Sequence, residues 1–123
     1  MNDIRLIAVV GICASGKTTL VQQLRQKGYS AVEVAQEHSE VPYLWARHNP
    51  DFLVHLDARD EIVATRRSYL RPDRLRLERE LLSYARAKAN LVLDTSEKSA
   101  EMVCCDVIEA LRGMCGADAD PGG

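Results

Sequence analysis

Residues 11–18 read Gly11-Ile12-Cys13-Ala14-Ser15-Gly16-Lys17-Thr18, a stretch that fits the spacing G-x-x-x-x-G-K-[ST] at every fixed position. An apolar run from Ile4 to Val10 precedes it, and a helical pattern from Thr19 to Lys27 follows it. A near-continuous apolar run of this length is typical of a strand buried on both faces in a parallel sheet. The stretch is therefore expected to form the turn between the first strand and the first helix.

A turn of this kind binds phosphate because its backbone N–H groups point inward and the following helix presents its positive N-terminal end. The two glycines allow the backbone to approach a ligand closely, where a side chain would intervene. We expect Lys17 to reach the β- and γ-phosphates of a nucleotide and the Thr18 hydroxyl to take a position on Mg²⁺. The predicted nucleotide-binding residues are Gly11, Cys13, Ala14, Ser15, Gly16, Lys17, Thr18 and Thr19.

The composition predicts one domain. A chain of 123 residues with a formal charge of −2 can bury one core, and it lacks the basic field that would attract nucleic acid or a membrane surface. No segment approaches the ~20 apolar residues of a membrane span, and no secretory pattern precedes the first strand, so we expect a cytoplasmic protein.

The four cysteines show no C-x-x-C spacing, which disfavours zinc and favours free thiols. Cys13 lies inside the loop, where the helix N-terminus would favour a thiolate. Redox control and a simply tolerated small residue are the two interpretations of Cys13.

Strands alternating with helices predict an α/β fold, a three-layer α/β/α arrangement around a small parallel sheet of about four strands. Residues 1–115 would form the domain, and residues 116–123 a disordered tail. The first helix would end at Gly28 and the last at Gly113, and Asp73 would cap the helix after Pro72. Further strands are expected at 31–35, 52–56 and 91–93, and further helices at 59–70, 73–88 and 100–112.

Polar residues follow the predicted strands, at the sheet edge where parallel α/β proteins bind ligands. Glu37 is the first candidate for an acid that holds Mg²⁺ or acts as a base, provided that its strand lies beside the first. His38 follows Glu37 as a candidate substrate contact; an exposed turn is the alternative for both. Asp57 is the rival metal acid, or else it caps the next helix. His55 lies within a strand and is expected to be packed and hydrogen-bonded.

Arginines crowd around the break at Pro72, between the two helical patterns of residues 59–88. Arginine suits phosphate because its planar fork bonds bidentately and keeps its charge. This segment is expected to be a helical lid, with Arg67 and Arg71 acting in catalysis and Arg74 on the substrate; a solvated face balanced by acids is the alternative. Trp45, the single tryptophan, would form an apolar wall for an acceptor or belong to the core.

Together these motifs resemble the P-loop NTPase superfamily, and within it the nucleotide and small-metabolite kinases. Gly11 to Thr18 matches the Walker A motif in full. The strand at 52–57, with a helix ending in Arg66-Arg67, looks like the strand that leads into the lid of thymidylate-kinase-like enzymes. Leu91 to Ser96 resembles the last strand and adenine-side loop of such kinases.

The chain departs from that family in length. Only Gly28 to Asn49 lies between the first helix and the lid strand, so one strand is missing. No apolar run ending in a Walker B aspartate is evident, and no Asn-Lys-x-Asp motif appears, which disfavours a GTPase.

The resemblance implies an enzyme that binds ATP and Mg²⁺ and transfers phosphate to a small-molecule acceptor. Lys17 and the loop amides would stabilise the transferring group, Thr18 and Glu37 would organise Mg²⁺, and the lid arginines would neutralise charge. The acceptor site would be small, or a homodimer or a protein partner would complete it. The alternatives are a nucleotide-binding regulatory module with little catalysis, and a simple ATPase.

Overall fold

The computed structural model describes residues 5–68 and 70–119, with residues 114–119 described by their backbone alone. In this part of the chain no helix combines the length and the apolar character that crossing a membrane requires. Two short 3₁₀ turns, at Gln36–His38 and Leu44–His48, lie between the second and third strands. The strands are β1 (Ile7–Gly11), β2 (Ala31–Glu33), β3 (Phe52–Asp57) and β4 (Leu91–Asp94); the helices are α1 (Lys17–Gln26), α2 (Asp60–Arg66), α3 (Pro72–Leu81), α4 (Ser83–Lys88) and α5 (Ala100–Ala119).

The four strands form one parallel sheet in the order β2-β1-β3-β4. β1 is central, and its five residues pair in register with β3 from Ile7↔Phe52 to Gly11↔Leu56. The prediction of an α/β fold with a small, four-stranded parallel sheet is confirmed. The condition set for Glu37 is also met, because β2, the strand before it, pairs directly with β1.

Two apolar clusters cover the two faces of the sheet. Alternate strand residues point to opposite faces, and Ile7 and Val9 pack with α1 and α5, whereas Ala8 and Val10 pack with α2, α3 and α4. This arrangement is compatible with a three-layer α/β/α fold. It brings the carboxyl ends of all four strands to one edge, where the loop between β1 and α1 lies.

The segment predicted as a lid contributes to the core. Leu75 of α3, Leu82 at the junction of α3 and α4, and Ala85 of α4 are buried in the second cluster, with relative exposures of 3%, 1% and 0%. The helices α3 and α4 therefore cover a face of the sheet. Closure of this segment over a ligand stays a prediction.

Several helix boundaries differ from the sequence expectation. Proline is tolerated at the first helical position because its missing N–H has no partner there, and α3 begins at Pro72 with Arg71 as its N-cap. Asp73 therefore lies in the first turn, and the expected Asp73 cap is wrong. α2 stops at Arg66, and the pattern at 73–88 is divided between α3 and α4.

The last helix is longer than expected. α5 continues through Gly113 to Ala119, so the expected stop at Gly113 is wrong. A single glycine lowers helix stability by about 1 kcal/mol but does not by itself end a helix. Residues 116–119 of the predicted tail are helical, and residues 120–123 lie outside the described residues.

Candidate functional site

The loop of residues 11–18, here called the glycine loop, has a backbone that few side chains tolerate. A Cβ atom added at Gly11 would lie 2.4 Å from the Leu56 carbonyl oxygen and 2.7 Å from Ser15 Oγ. Ala14 and Gly16 both have positive φ, at 64° and 99°. Such left-handed positions occur in the turns that form anion-binding concavities, and this turn leads directly into the N-terminus of α1.

Lys17 is folded back over the glycine loop. Its Nζ donates to the carbonyl oxygens of Gly11 at 2.8 Å and Ile12 at 3.0 Å, and it pairs with Glu37 Oε2 at 2.9 Å. The Lys17 and Glu37 side chains are only 6% and 5% exposed. An ammonium group carries three protons, so these three acceptors account for all its donors.

The carboxylate in contact with Thr18 belongs to Glu33. Thr18 Oγ1 donates to Glu33 Oε1 at 2.9 Å, whereas Glu37, the residue expected to share a metal with Thr18, pairs with Lys17. Glu33 ends β2, the strand beside β1, so it lies next to the start of α1. The sequence analysis missed Glu33 because it extended this strand to Ala35. Carboxylate and hydroxyl oxygens are ligands that suit Mg²⁺.

Glu78 of α3 is a second site residue that the sequence analysis missed. Its side chain is fully buried and accepts from the Cys13 backbone N–H at 2.9 Å and from Cys13 Sγ at 3.1 Å. Arg74 Nε lies 3.5 Å from Glu78 Oε2. Leu75, Glu78 and Leu82 are spaced i, i+3, i+7, a helical pattern that indicates one shared face. That spacing was the available signal.

His38 lies between Glu37 and the residues that contact Glu78, Cys13 and Arg74. Its Nε2 lies 3.6 Å from Glu37 Oε2 and 3.6 Å from Cys13 Sγ, and its Nδ1 lies 2.8 Å from an Arg74 Nη2 atom. Arginine only donates, so Nδ1 is the acceptor and the ring proton belongs on Nε2. The expected proximity of His38 and Arg74 to the loop is thus present.

The side chains of Cys13, Glu37 and His38 offer ligand atoms within 4.8 Å of one another, a spacing that could hold a metal ion. Each of the three already has a partner, respectively Glu78, Lys17 and Arg74. The cluster is therefore a hydrogen-bonded network, and a soft metal would have to displace these partners.

Cys13 does not have the thiolate character expected of a helix N-terminus. Burial, together with the hydrogen bond to Glu78 and its charge, raises the pKa of the Cys13 thiol to about 11. The nearby Lys17 ammonium lowers this pKa but does not offset the other effects. This expectation is corrected: the thiol is the stable form.

Asp57 pairs with two arginines of the helices α3 and α4. Its carboxylate accepts from the Ala58 N–H at 2.8 Å, and it pairs with Arg79 at 3.4 Å and Arg86 at 3.3 Å. The N-cap of α2 is Arg59, so Asp57 does not cap that helix. The expected cap is therefore wrong, Asp57 ties α3 and α4 to the sheet edge, and its role as a metal acid stays a prediction.

A cavity of about 340 Å³ adjoins the other side of the glycine loop. Arg66 crosses its rim, donating to the Ala14 carbonyl at 2.7 Å and the Thr95 carbonyl at 3.0 Å. Thr95, which is 3% exposed, donates to the Ser15 carbonyl at 2.9 Å. The cavity is lined by Ala14, Ser15, Gly16, Thr18, Thr19, Leu20, Arg66, Arg67, Thr95, Lys98, Ala100 and Val103.

Of the remaining predicted site residues, Arg67 lines this cavity, whereas Arg71 and Trp45 do not. Arg67 lines this cavity, as a catalytic arginine would require. Arg71 does not: its side chain is 83% exposed and pairs with Asp73 in its own turn. Trp45 packs against the second core cluster, and its indole Nε1 is buried with no hydrogen-bond partner among the described residues. The core interpretation of Trp45 therefore describes its position better than the substrate wall does.

Comparison of the sequence with protein-family models and with curated proteins gives no match.

Proposed function

We propose that this chain is a P-loop protein that binds Mg-ATP and transfers phosphate to a small acceptor. The observation that carries the proposal is the pairing of the G-x-x-x-x-G-K-T spacing with a strand-to-helix turn in which Lys17 folds back to the Gly11 carbonyl. Phosphate binding needs a concave run of N–H groups, a helix N-terminus and a fixed cation. The glycine loop offers left-handed turns at Ala14 and Gly16, the N-terminus of α1 and the held Lys17 cation. The adjoining cavity of about 340 Å³ offers room for the nucleoside.

The residues beside the loop fit a magnesium ion. Thr18 and Glu33 supply a hydroxyl and a carboxylate in mutual contact, and Mg²⁺ prefers such oxygen ligands with several waters retained. When bound, Mg²⁺ would neutralise charge on the terminal phosphates. Lys17 would hold the β- and γ-phosphates, and Arg66 and Arg67 would border the nucleoside. Glu37, released from Lys17, would be available as a base toward an acceptor hydroxyl.

The first test is calorimetric titration with Mg-ATP and Mg-GTP. Wild type should bind ATP in the micromolar range, and Lys17→Ala should lose binding because the phosphates lose their cation. Lys27→Ala, which removes a lysine just after the same helix, is the matched control and should bind normally. Wild type that binds neither nucleotide would refute the nucleotide site.

Glutamine variants separate the two acids. Glu33→Gln should weaken the dependence of ATP binding on Mg²⁺ concentration, whereas Glu37→Gln should abolish transfer of labelled γ-phosphate to an acceptor while ATP binding survives. Glu40→Gln, an exposed residue on the same segment, serves as the control. Phosphate transfer that persists in Glu37→Gln removes Glu37 from the mechanism.

A nucleotide-binding regulatory module is the second candidate function. The contact between Glu78 and the Cys13 amide favours it, because that contact links α3 physically to the loop. This candidate predicts ATP binding without turnover toward every acceptor tried.

A further inference from the structure

Two buried carboxylates of the protein occupy hydrogen-bond donors of the glycine loop. Glu37 binds the Lys17 ammonium at 2.9 Å, and Glu78 binds the Cys13 backbone N–H at 2.9 Å. The two contacts belong to one small patch, since His38 Nε2 lies 3.6 Å from Glu37 Oε2 and 3.6 Å from Cys13 Sγ. The Glu37 carboxylate therefore lies at the head of the lysine expected to reach a terminal phosphate, and the Glu78 carboxylate lies on a loop amide in the same patch.

The donors in this patch are fully used. The Lys17 ammonium has three N–H donors and three acceptors. The single N–H of the Cys13 amide donates its hydrogen bond to Glu78. A phosphate group that binds Lys17 must therefore displace one of its acceptors. Gly11 and Ile12 are parts of the loop backbone, so Glu37 is the acceptor that a phosphate can replace.

Nucleoside di- and triphosphates differ in how much negative charge they bring to these carboxylates. Backbone amides of such a loop hold the α- and β-phosphates, and its lysine reaches the β- and γ-phosphates. A γ-phosphate brings further negative charge to the end of the phosphate chain that Lys17 would hold, beside Glu37 and Glu78. Like charges at a few ångströms in a partly dry site repel strongly, so a triphosphate must move the carboxylates more than a diphosphate does.

We propose that Glu37 and Glu78 are specificity-determining residues that set the preference of the loop between nucleoside di- and triphosphates. Glu37 competes with the terminal phosphate for Lys17, and Glu78 competes with the phosphate chain for the Cys13 amide. Both carboxylates repel the added charge of a γ-phosphate, and this role rests on the nucleotide binding proposed above. Because Glu78 belongs to α3, the exchange also connects the terminal phosphate to that helix.

The test compares two nucleotides on five proteins. Wild type, Glu37→Gln, Glu78→Gln and the controls Glu40→Gln and Glu80→Gln are titrated calorimetrically with Mg-ADP and with the Mg complex of the β,γ-imido analogue of ATP. Both control glutamates are exposed and lie two or three residues from their counterparts. Glutamine keeps the size of the side chain and removes its charge.

We expect each site variant to raise triphosphate affinity relative to diphosphate affinity by about tenfold, the effect of losing one nearby repulsive charge, while the controls stay within twofold of wild type. A ratio unchanged in both site variants, with both nucleotides still bound, overturns this inference and leaves the nucleotide site standing. Failure of wild type to bind either nucleotide overturns both. Thermal melting checks folding, and if Glu78→Gln does not fold, Glu37→Gln alone decides.

Discussion

Gly11→Ala is expected to destabilise the protein by about 3 kcal/mol, the upper end of the usual overpacking cost. The added Cβ would lie 2.4 Å from the Leu56 carbonyl oxygen, which is 1.0 Å short of the 3.4 Å at which ordinary contact begins. This oxygen cannot withdraw easily, because Gly11 and Leu56 are paired in the β1–β3 ladder. The second neighbour, Ser15 Oγ, is held by its own hydrogen bond to the Ile12 carbonyl at 2.7 Å.

Two other glycines separate this steric clash from the general effects of glycine replacement. Gly28 has φ of +92° with no described heavy atom within 4 Å of an added Cβ, so Gly28→Ala should cost only the left-handed strain of about 1 kcal/mol. Gly113 lies within α5, and, as at Gly28, no described heavy atom lies within 4 Å of a Cβ added there. Gly113→Ala should therefore stabilise by about 0.5–1 kcal/mol through helix propensity.

Urea denaturation at pH 7 and 25 °C measures the free energies of unfolding of wild type and of the three variants on one scale. The expected order of stability is Gly113→Ala, wild type, Gly28→Ala, Gly11→Ala. A loss of stability for Gly11→Ala no larger than that for Gly28→Ala would show that β1 and β3 can separate at their carboxyl ends. It would refute the claim that the Leu56 carbonyl oxygen is held in place against an added Cβ.

Three further predictions concern His55, Cys13 and Arg66. Burial lowers the pKa of His55 from 6.5 to about 4, so the unfolded chain binds this proton more readily than the folded protein does. The free energy of unfolding should therefore fall as the pH drops from 6.5 toward 4. In His55→Asn, urea titrations should show a free energy of unfolding that changes less with pH between 6.5 and 5. With a thiol pKa of about 11 against the ordinary 9.0, Cys13 should hold about 100-fold less thiolate than an unperturbed cysteine at pH 8; peptide mass spectrometry should show its alkylation far behind that of exposed Cys105, and equal rates would contradict the Glu78 contact. Arg66→Lys should weaken ATP binding about tenfold, because a lysine cannot span the carbonyls of Ala14 and Thr95; calorimetric affinity equal to wild type would exclude Arg66 from shaping the site.

The strands β1 and β3 were predictable because continuous apolar runs indicate buried strands, and both strands are buried along almost their whole length. The apolar run of β4 also marked a strand, although β4 is only partly buried. The expected runs at 52–56 and 91–93 differ from β3 and β4 by one residue each at the carboxyl end. The second strand was drawn too long because its apolar residues continue after Glu33, although the Val34 N–H does still reach the Val9 carbonyl at 3.0 Å. Local pattern thus located the sheet edge, but not the residue at which β2 ends.

The partners within the site were harder to predict because they depend on distant parts of the chain. The glycine loop was read correctly as a strand-to-helix turn, since its glycines and flanking patterns are local. The contact between Cys13 and Glu78 joins residues 65 positions apart, and no local rule selects Glu78 over the other acids of α3. Only the shared helical spacing with Leu75 and Leu82 distinguishes it, and that spacing indicates burial rather than a partner.

The two buried carboxylates have opposite consequences for folding and for binding. Without Glu37 and Glu78, the Lys17 ammonium and the Cys13 amide would lose buried partners, and each buried donor left unsatisfied costs about 1–3 kcal/mol. The same contacts that stabilise the ligand-free loop oppose an incoming phosphate. Charge removal at either residue should therefore lower the free energy of unfolding while raising triphosphate affinity. A residue with a purely structural role would lower both, so the opposite signs distinguish competition with the ligand from support of the fold.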